Sequence, residues 1–324
     1  MALLTWVTLG LYALSCKAGT TIWSGSFNAY PTVATFDVWS WSNEVGEYQW
    51  YIHGSQNTSH YLALSPSFKN PADTSETNGL KLTIDTTSSW NGQPFERSEL
   101  IPQTTQNLGT GNLFYHFSIS HPSTNLPDST VEHQICFFES HFTEVLYNVQ
   151  EVPYWDAPFD AGTWFNFAYD IDFTAGTVGL WASTGNPNPL VKVVQNVAAA
   201  TSTNSEDWHL GVLRVVNSGT PEDWYYSGVY IENGPITTSV GSGTGKQLKM
   251  FPVIDHHLNQ HFVYEFYHDH VVDDNRSRTN ADTVWTMWRN RIYWTYRLPV
   301  SIHMQVDKPA LLLPMPVTFK SDIT

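Results

Sequence analysis

Short apolar runs separated by clusters of turn-forming residues recur at roughly 8–12-residue spacing along the chain as far as about residue 232, the rhythm of a β-sandwich or barrel rather than of βαβ units. Helical periodicity is nearly absent from the same stretch. The pattern predicts strands over Tyr48 to His53, Leu80 to Asp85, Phe95 to Ile101, Leu113 to Ser120, Glu132 to Phe138, Trp164 to Asp172, Thr177 to Ser183, Leu210 to Val216 and Trp224 to Glu232. Turn signals at Asn70-Pro71, Asn78-Gly79, Asn91-Gly92, Ala175-Gly176 and Asn186-Pro187 separate them. The fold class expected is all-β, within residues 19–236.

The two ends follow different patterns. Residues 1–18 are mostly apolar, too short to span a bilayer with ease, and close on Cys16-Lys17-Ala18, as a secretory signal peptide does. Residues 237–245 are rich in Gly, Ser and Thr and read as a linker. All twenty glycines precede residue 246, and 246–324 holds nine Lys and Arg against eight acids, whereas the part before it holds six against twenty-two. This atypical tail is expected to be poorly ordered. Its His256-His257 and His268-Asp269-His270 pairs have no fixed ligand spacing, and no metal or other cofactor is expected.

Composition narrows the partners. A formal net charge of −15 argues against nucleic acid, since phosphate binding relies on clustered Lys and Arg. Fourteen Trp and sixteen Tyr suit stacking on flat, weakly charged ligands such as sugar rings, while aromatic cores account equally well for many of them. Leader cleavage would leave Cys136 without an intramolecular partner, so the fold must stand on its core, with that thiol as packing. Asn57-Thr58-Ser59 is a glycosylation sequon, consistent with an extracellular, secreted protein. A monomer without membrane association is expected.

Chemistry concentrates in two strands that carry acids where a core strand avoids them. The period of two places His133, Ile135, Phe137 and Glu139 on one face, and Glu132, Gln134, Cys136 and Phe138 on the other. Glu132 and Glu139 would stand about 23 Å apart on a straight strand, so a carboxylate pair needs its second member elsewhere. Over Phe95 to Ile101 the same rule aligns Arg97 with Glu99, and the guanidinium should hold Glu99 ionised. Glu139 follows Phe137-Phe138, an apolar setting that favours the protonated form. Carboxyls pushed apart in this way supply an acid and a base, here Glu139 as donor and Glu99 as base. The alternative is an Arg97 ion pair with either acid that only ties strands together. His209 opens another strand and can orient a carboxyl or be structural. Trp39, Trp41, Trp50, Tyr51 and His53 can line a sugar cleft, although most such aromatics belong to the core.

Segments of this chain resemble glycoside hydrolase family 131, secreted β-glucan hydrolases found chiefly in fungi. They are Trp39 to Gly46, Tyr48 to Gly54, Ser88 to Gln93, Arg97 to Gln103, Val131 to Phe142 and Asp207 to Arg214. The resemblance implies a β-jelly-roll with an open concave cleft, activity on β-1,3, β-1,6 and β-1,4 glucans, and catalytic glutamates at Glu99 and Glu139. Arg97, His133, Gln134, His209, Trp50, Tyr51 and His53 are the expected supporting or sugar-binding residues. It further implies inversion, for which the carboxyls stand about 6.5–9.5 Å apart. The tail lacks the cysteines of the small cellulose-binding module that some relatives carry. Two rivals stand beside this reading: a polysaccharide lyase acting on glucuronan-like polymers, and a lectin-like glucan-binding module without catalysis.

Overall fold

A computed structural model describes residues 19–139, 154–217, 219–241 and 243. The leader, most of the linker's end and the whole tail 246–324 therefore lie outside the described residues.

Among the described residues the chain forms twelve strands in two sheets, with only short helical turns between them. These are β1 (Thr20–Ser24), β2 (Tyr48–Ile52), β3 (Leu62–Ser65), β4 (Gly79–Ile84), β5 (Glu96–Pro102) and β6 (Asn112–Ser120). They continue with β7 (His133–Phe138), β8 (Phe165–Asp172), β9 (Thr177–Thr184), β10 (Val191–Ala198), β11 (Trp208–Arg214) and β12 (Glu222–Asn233). The larger sheet runs β10-β9-β8-β6-β12-β4-β3 with β1 also on β12, and the smaller runs β2-β5-β11-β7. All described pairings are antiparallel, so alternate residues can face the core or the outside.

The inner faces meet in an aromatic core. Trp23, Trp208, Trp224, Tyr115 and Tyr226 are fully buried, and Trp208 meets Tyr115 and Trp23 edge-on at 5.1 and 6.2 Å between centroids. Each such ring contributes roughly 2–3 kcal/mol through burial alone. Cys136 is free and buried in this core, and burial pushes its thiol up, so it packs rather than reacts.

The smaller sheet carries the acids, and its alternation is not uniform. On β5, Glu96, Ser98 and Leu100 face the core side and Arg97, Glu99 and Ile101 the outer side, consistent with Leu100 in the core cluster. On β7 the alternation breaks. Leu210 and Gly211 of β11 stand opposite Cys136 alone, and Cys136 takes a φ of 49°. Ile135 packs on the core before this bulge, and both Cys136 and Phe138 do so at and after it. The single face expected for His133, Ile135, Phe137 and Glu139 is therefore corrected. His133 and Ile135 turn inward, while Phe137 meets the ring of His209, 5.1 Å between centroids, on the outer side.

Candidate active site

Three strands bring four ionisable side chains together on the outer face of the smaller sheet. Arg97 and Glu99 come from the same face of β5, His209 from β11 beside it, and Glu139 from the residue that follows β7. Glu139 is held in place by its own backbone, whose N–H donates to the Asp207 carbonyl at 2.8 Å. Gly211 pairs with Glu99 across the ladder. A Cβ on Gly211 would lie 2.3 Å from the Ser98 carbonyl oxygen and 3.1 Å from Glu99 Cγ, so only glycine leaves room for the Glu99 side chain there.

Arg97 is the hub. Its Nε and Nη2 donate to Glu99 Oε1 and Oε2 at 2.7 and 2.6 Å, and Nη2 also donates to Glu139 Oε2 at 2.7 Å. Nη1 reaches Gln93 Oε1 at 3.3 Å, and the guanidinium lies 5.6 Å from the Trp90 ring centroid. Glu99 takes a third bond, from His209 Nδ1 at 2.6 Å. Because an ionised carboxylate only accepts, the imidazole carries its hydrogen on Nδ1.

The electrostatics follow from those contacts. Burial alone would push the Glu99 carboxyl up, but the Arg97 charge and the His209 bond outweigh it and hold Glu99 below the usual carboxylate range. For Arg97 the balance runs likewise, burial opposing its charge and the two carboxylates more than restoring it. The acids differ in access: the Glu99 side chain is 0% exposed and that of Glu139 22%. One oxygen of each lies within 4.8 Å of the other, together with a His209 nitrogen. This is closer than the gap expected for an inverting pair. A guanidinium already occupies the cluster, which makes it a poor cradle for a metal cation.

An aromatic row leads away from Arg97. Trp90 opens the Asn91-Gly92 turn, whose φ values of 50° and 70° suit the paired left-handed residues of a tight turn. Its ring lies 6.0 Å from that of Tyr51, which stacks on Trp39 at 5.6 Å and meets Trp41 at 5.0 Å. Burial, with Glu206 next, pushes the Tyr51 hydroxyl up to about 12, so it stays a neutral donor.

The other expected site residues fall elsewhere. Trp50 is buried in the core, its indole N–H donating to Thr58 Oγ1 at 2.9 Å. Its ring stacks on that of His53 at 4.4 Å. His53 and Asn57 line a cavity of about 390 Å³ with Asp37 and Thr58, apart from the carboxylates. His133 bonds Glu222 Oε2 at 2.8 Å on the inner side of the sheet. Gln134 donates to Glu132 at 3.4 Å and makes no described bond to the Arg97 cluster. Trp50, His53 and His133, expected as supporting or sugar-binding residues, thus stand apart from the carboxylate cluster. Trp90 and Gln93, which no motif chemistry singles out, contact Arg97 instead, and the Asn91-Gly92 turn signal between them is the available clue.

A two-sheet β-sandwich with an arginine-bridged pair of glutamates and an aromatic row on one outer face has the makings of a glycan-processing enzyme. The model of the glycoside hydrolase 131 catalytic N-terminal domain matches residues 21–237. The catalytic domain of the glycoside hydrolase family 131 protein from Coprinopsis cinerea is 65% identical, with a TM-score of 0.64, over 69% of this chain and 98% of that one. A family 131 β-glucanase catalytic domain from Podospora anserina is 47% identical, with a TM-score of 0.63, over 68% and 99%. The chain belongs to glycoside hydrolase family 131. It is a glycoside hydrolase. No curated protein is significantly similar to it.

Proposed function

We propose that the chain hydrolyses β-linked glucans, taking β-1,3, β-1,6 and β-1,4 bonds, with Glu139 as proton donor and Glu99 as its ionised partner. The observation that carries this reading is one guanidinium shared by two carboxylates of unequal exposure. Glycosidic cleavage needs one carboxyl that gives up a proton and one that stays charged. Two bonds from Arg97 and one from His209 keep Glu99 charged, whereas Glu139 takes a single bond from Arg97 and is the acid that solvent and substrate can reach, so the donor's part falls to Glu139. The choice of β-glucan is supported by the Podospora relative, which is named a β-glucanase, and by the aromatic row beside the acids.

Inversion would require the oxygens, now within 4.8 Å, to move apart. We infer that Glu139 swings off Arg97 as a sugar enters, opening the pair toward about 6.5–9.5 Å and admitting one water that Glu99 activates. The full reading includes secretion through residues 1–18, an N-glycan on the exposed Asn57, and action as a monomer on extracellular or cell-wall glucan. A lyase would need a free cation for the uronate carboxylate, whereas the donors of Arg97 face Glu99, Glu139 and Gln93.

The test is sugar release from laminarin, lichenan and cello-oligosaccharides by the wild type, Glu99→Gln and Glu139→Gln. Each substitution should cost about 10²–10⁴-fold, and the first product seen by NMR should be the α-anomer. Three equally active proteins would refute the assignment. Products absorbing in the ultraviolet would indicate the lyase instead.

A further inference from the structure

We propose that Trp41 forms a distal glucan subsite that makes the enzyme favour long chains over short ones, an inference that rests on the glucan hydrolysis proposed above. Trp41 is 65% exposed, the highest among the exposed large apolar residues described. Exposed tryptophans are usually free to move, but this one is braced. It sits edge-on to Trp39 and tilted against Tyr51, both at 5.0 Å. Trp39 is itself fixed by an indole N–H bond to Gln103 Oε1 at 2.7 Å. The turn that carries Trp41 is pinned by reciprocal backbone bonds between Ser40 and Asn43, and by Asn43 Nδ2 donating to the Val38 carbonyl at 2.8 Å.

Such a rigid ring presents a pre-ordered apolar plane, and a sugar's C–H face can stack on it without the entropy cost of ordering a side chain. Its place in the row gives the length scale. Ring contacts link Trp41 to the Arg97 guanidinium through Tyr51 and Trp90 in steps of 5.0, 6.0 and 5.6 Å, which bounds their separation at about 17 Å. A glucan lying along the row would meet Trp41 at a place apart from the carboxylates. Trp41 therefore acts on binding alone: it holds ground state and transition state equally, which lowers KM without raising kcat. Short oligosaccharides seated at the carboxylates never touch it.

The experiment compares kcat and KM for a soluble β-glucan polymer and for a trisaccharide of the same linkage, in the wild type, Trp41→Ala and Trp41→Phe. In Trp41→Ala the polymer KM should rise about tenfold with kcat unchanged. Trisaccharide kcat/KM should stay within about twofold of the wild type, and Trp41→Phe should restore most of the polymer affinity. Melting temperatures should match, since the substituted side chain is mostly exposed. An unchanged polymer-to-trisaccharide ratio would overturn the subsite and leave the hydrolase reading standing. A change in sedimentation without a change in that ratio would make Trp41 a contact between copies, and also counts against it. A wild type inert on every β-glucan would remove both readings.

Discussion

Two charge clusters of the same composition sit on opposite faces of one four-stranded sheet. On the outer face Arg97 holds Glu99 and Glu139, with His209 on Glu99. On the inner face Arg214 holds Glu96 and Glu222, with His133 on Glu222. Each has one arginine, two glutamates and one histidine. Alternation along β5 separates them, Glu96 pointing in and Arg97 out. They differ in access and in what they join. Arg214, Glu96 and Glu222 are 0% exposed at their side chains, and Glu222 belongs to β12 of the larger sheet, so the inner cluster clamps one sheet to the other. Glu222 also accepts from the Trp224 indole at 3.2 Å and the Asp128 N–H at 2.9 Å, which leaves it no proton to give. The outer cluster stays within one sheet and keeps one acid partly exposed. A composition of charges does not make a site; an acid that substrate can reach does.

The largest expected effect breaks the inner cluster. Arg214→Met leaves two buried carboxylates without their guanidinium and should cost about 3–5 kcal/mol in urea unfolding, while activity per folded molecule persists. Glu76 then shows what a buried carboxyl does with no arginine beside it. Burial raises it to about 7, against bonds from Ser227 and the Gly228 N–H. A folded value above the unfolded one means that stability is full below about pH 4.5 and is lost as pH rises toward 7. This group should remove roughly 3 kcal/mol over that window, and Glu76→Gln should lack the decline. Arg97→Lys keeps the charge but loses the fork that grips Glu99, so kcat/KM should fall about 10²-fold. The smallest effect sharpens the contrast most cheaply. His133→Asn should cost about 1.5 kcal/mol of stability and no activity, whereas His209→Asn should change the pH profile of turnover.

Acid acts on both faces in the same sense. Glu99 and Glu222 are both held low, against burial, by their cationic and histidine partners. Each therefore adds stability that is present above the ordinary carboxyl range and lost as pH falls through its folded value. Glu99→Gln and Glu222→Gln should each flatten the acid limb of the stability curve.

Much of this was legible in the chain. Nine predicted strands fall on observed ones, with ends moved by no more than two residues, because a two-sided sandwich writes its period of two plainly. The strands at Thr20–Ser24, Leu62–Ser65 and Val191–Ala198 were not among those predicted. The last lies at the sheet edge with Val191 exposed, so its pattern is diluted. Arg97 and Glu99 share a face by simple alternation, and the structure pairs them. The error over His133 came from the bulge at Cys136, where one non-glycine residue at positive φ reverses which neighbours face the core. No local signal marks such a residue. The same limit hid the core position of Trp50: alternation assigns relative faces, and only packing decides which face is inside.

The most direct measurement compares Glu139→Gln with Glu222→Gln, one acid removed from each cluster, by reducing-end release per folded molecule and by urea midpoint. The account predicts that Glu139→Gln loses about 10²–10⁴-fold in turnover with its midpoint nearly unchanged, and that Glu222→Gln unfolds more easily yet turns over glucan at the wild-type rate. Wild-type turnover in Glu139→Gln, or loss of turnover in folded Glu222→Gln, would contradict it.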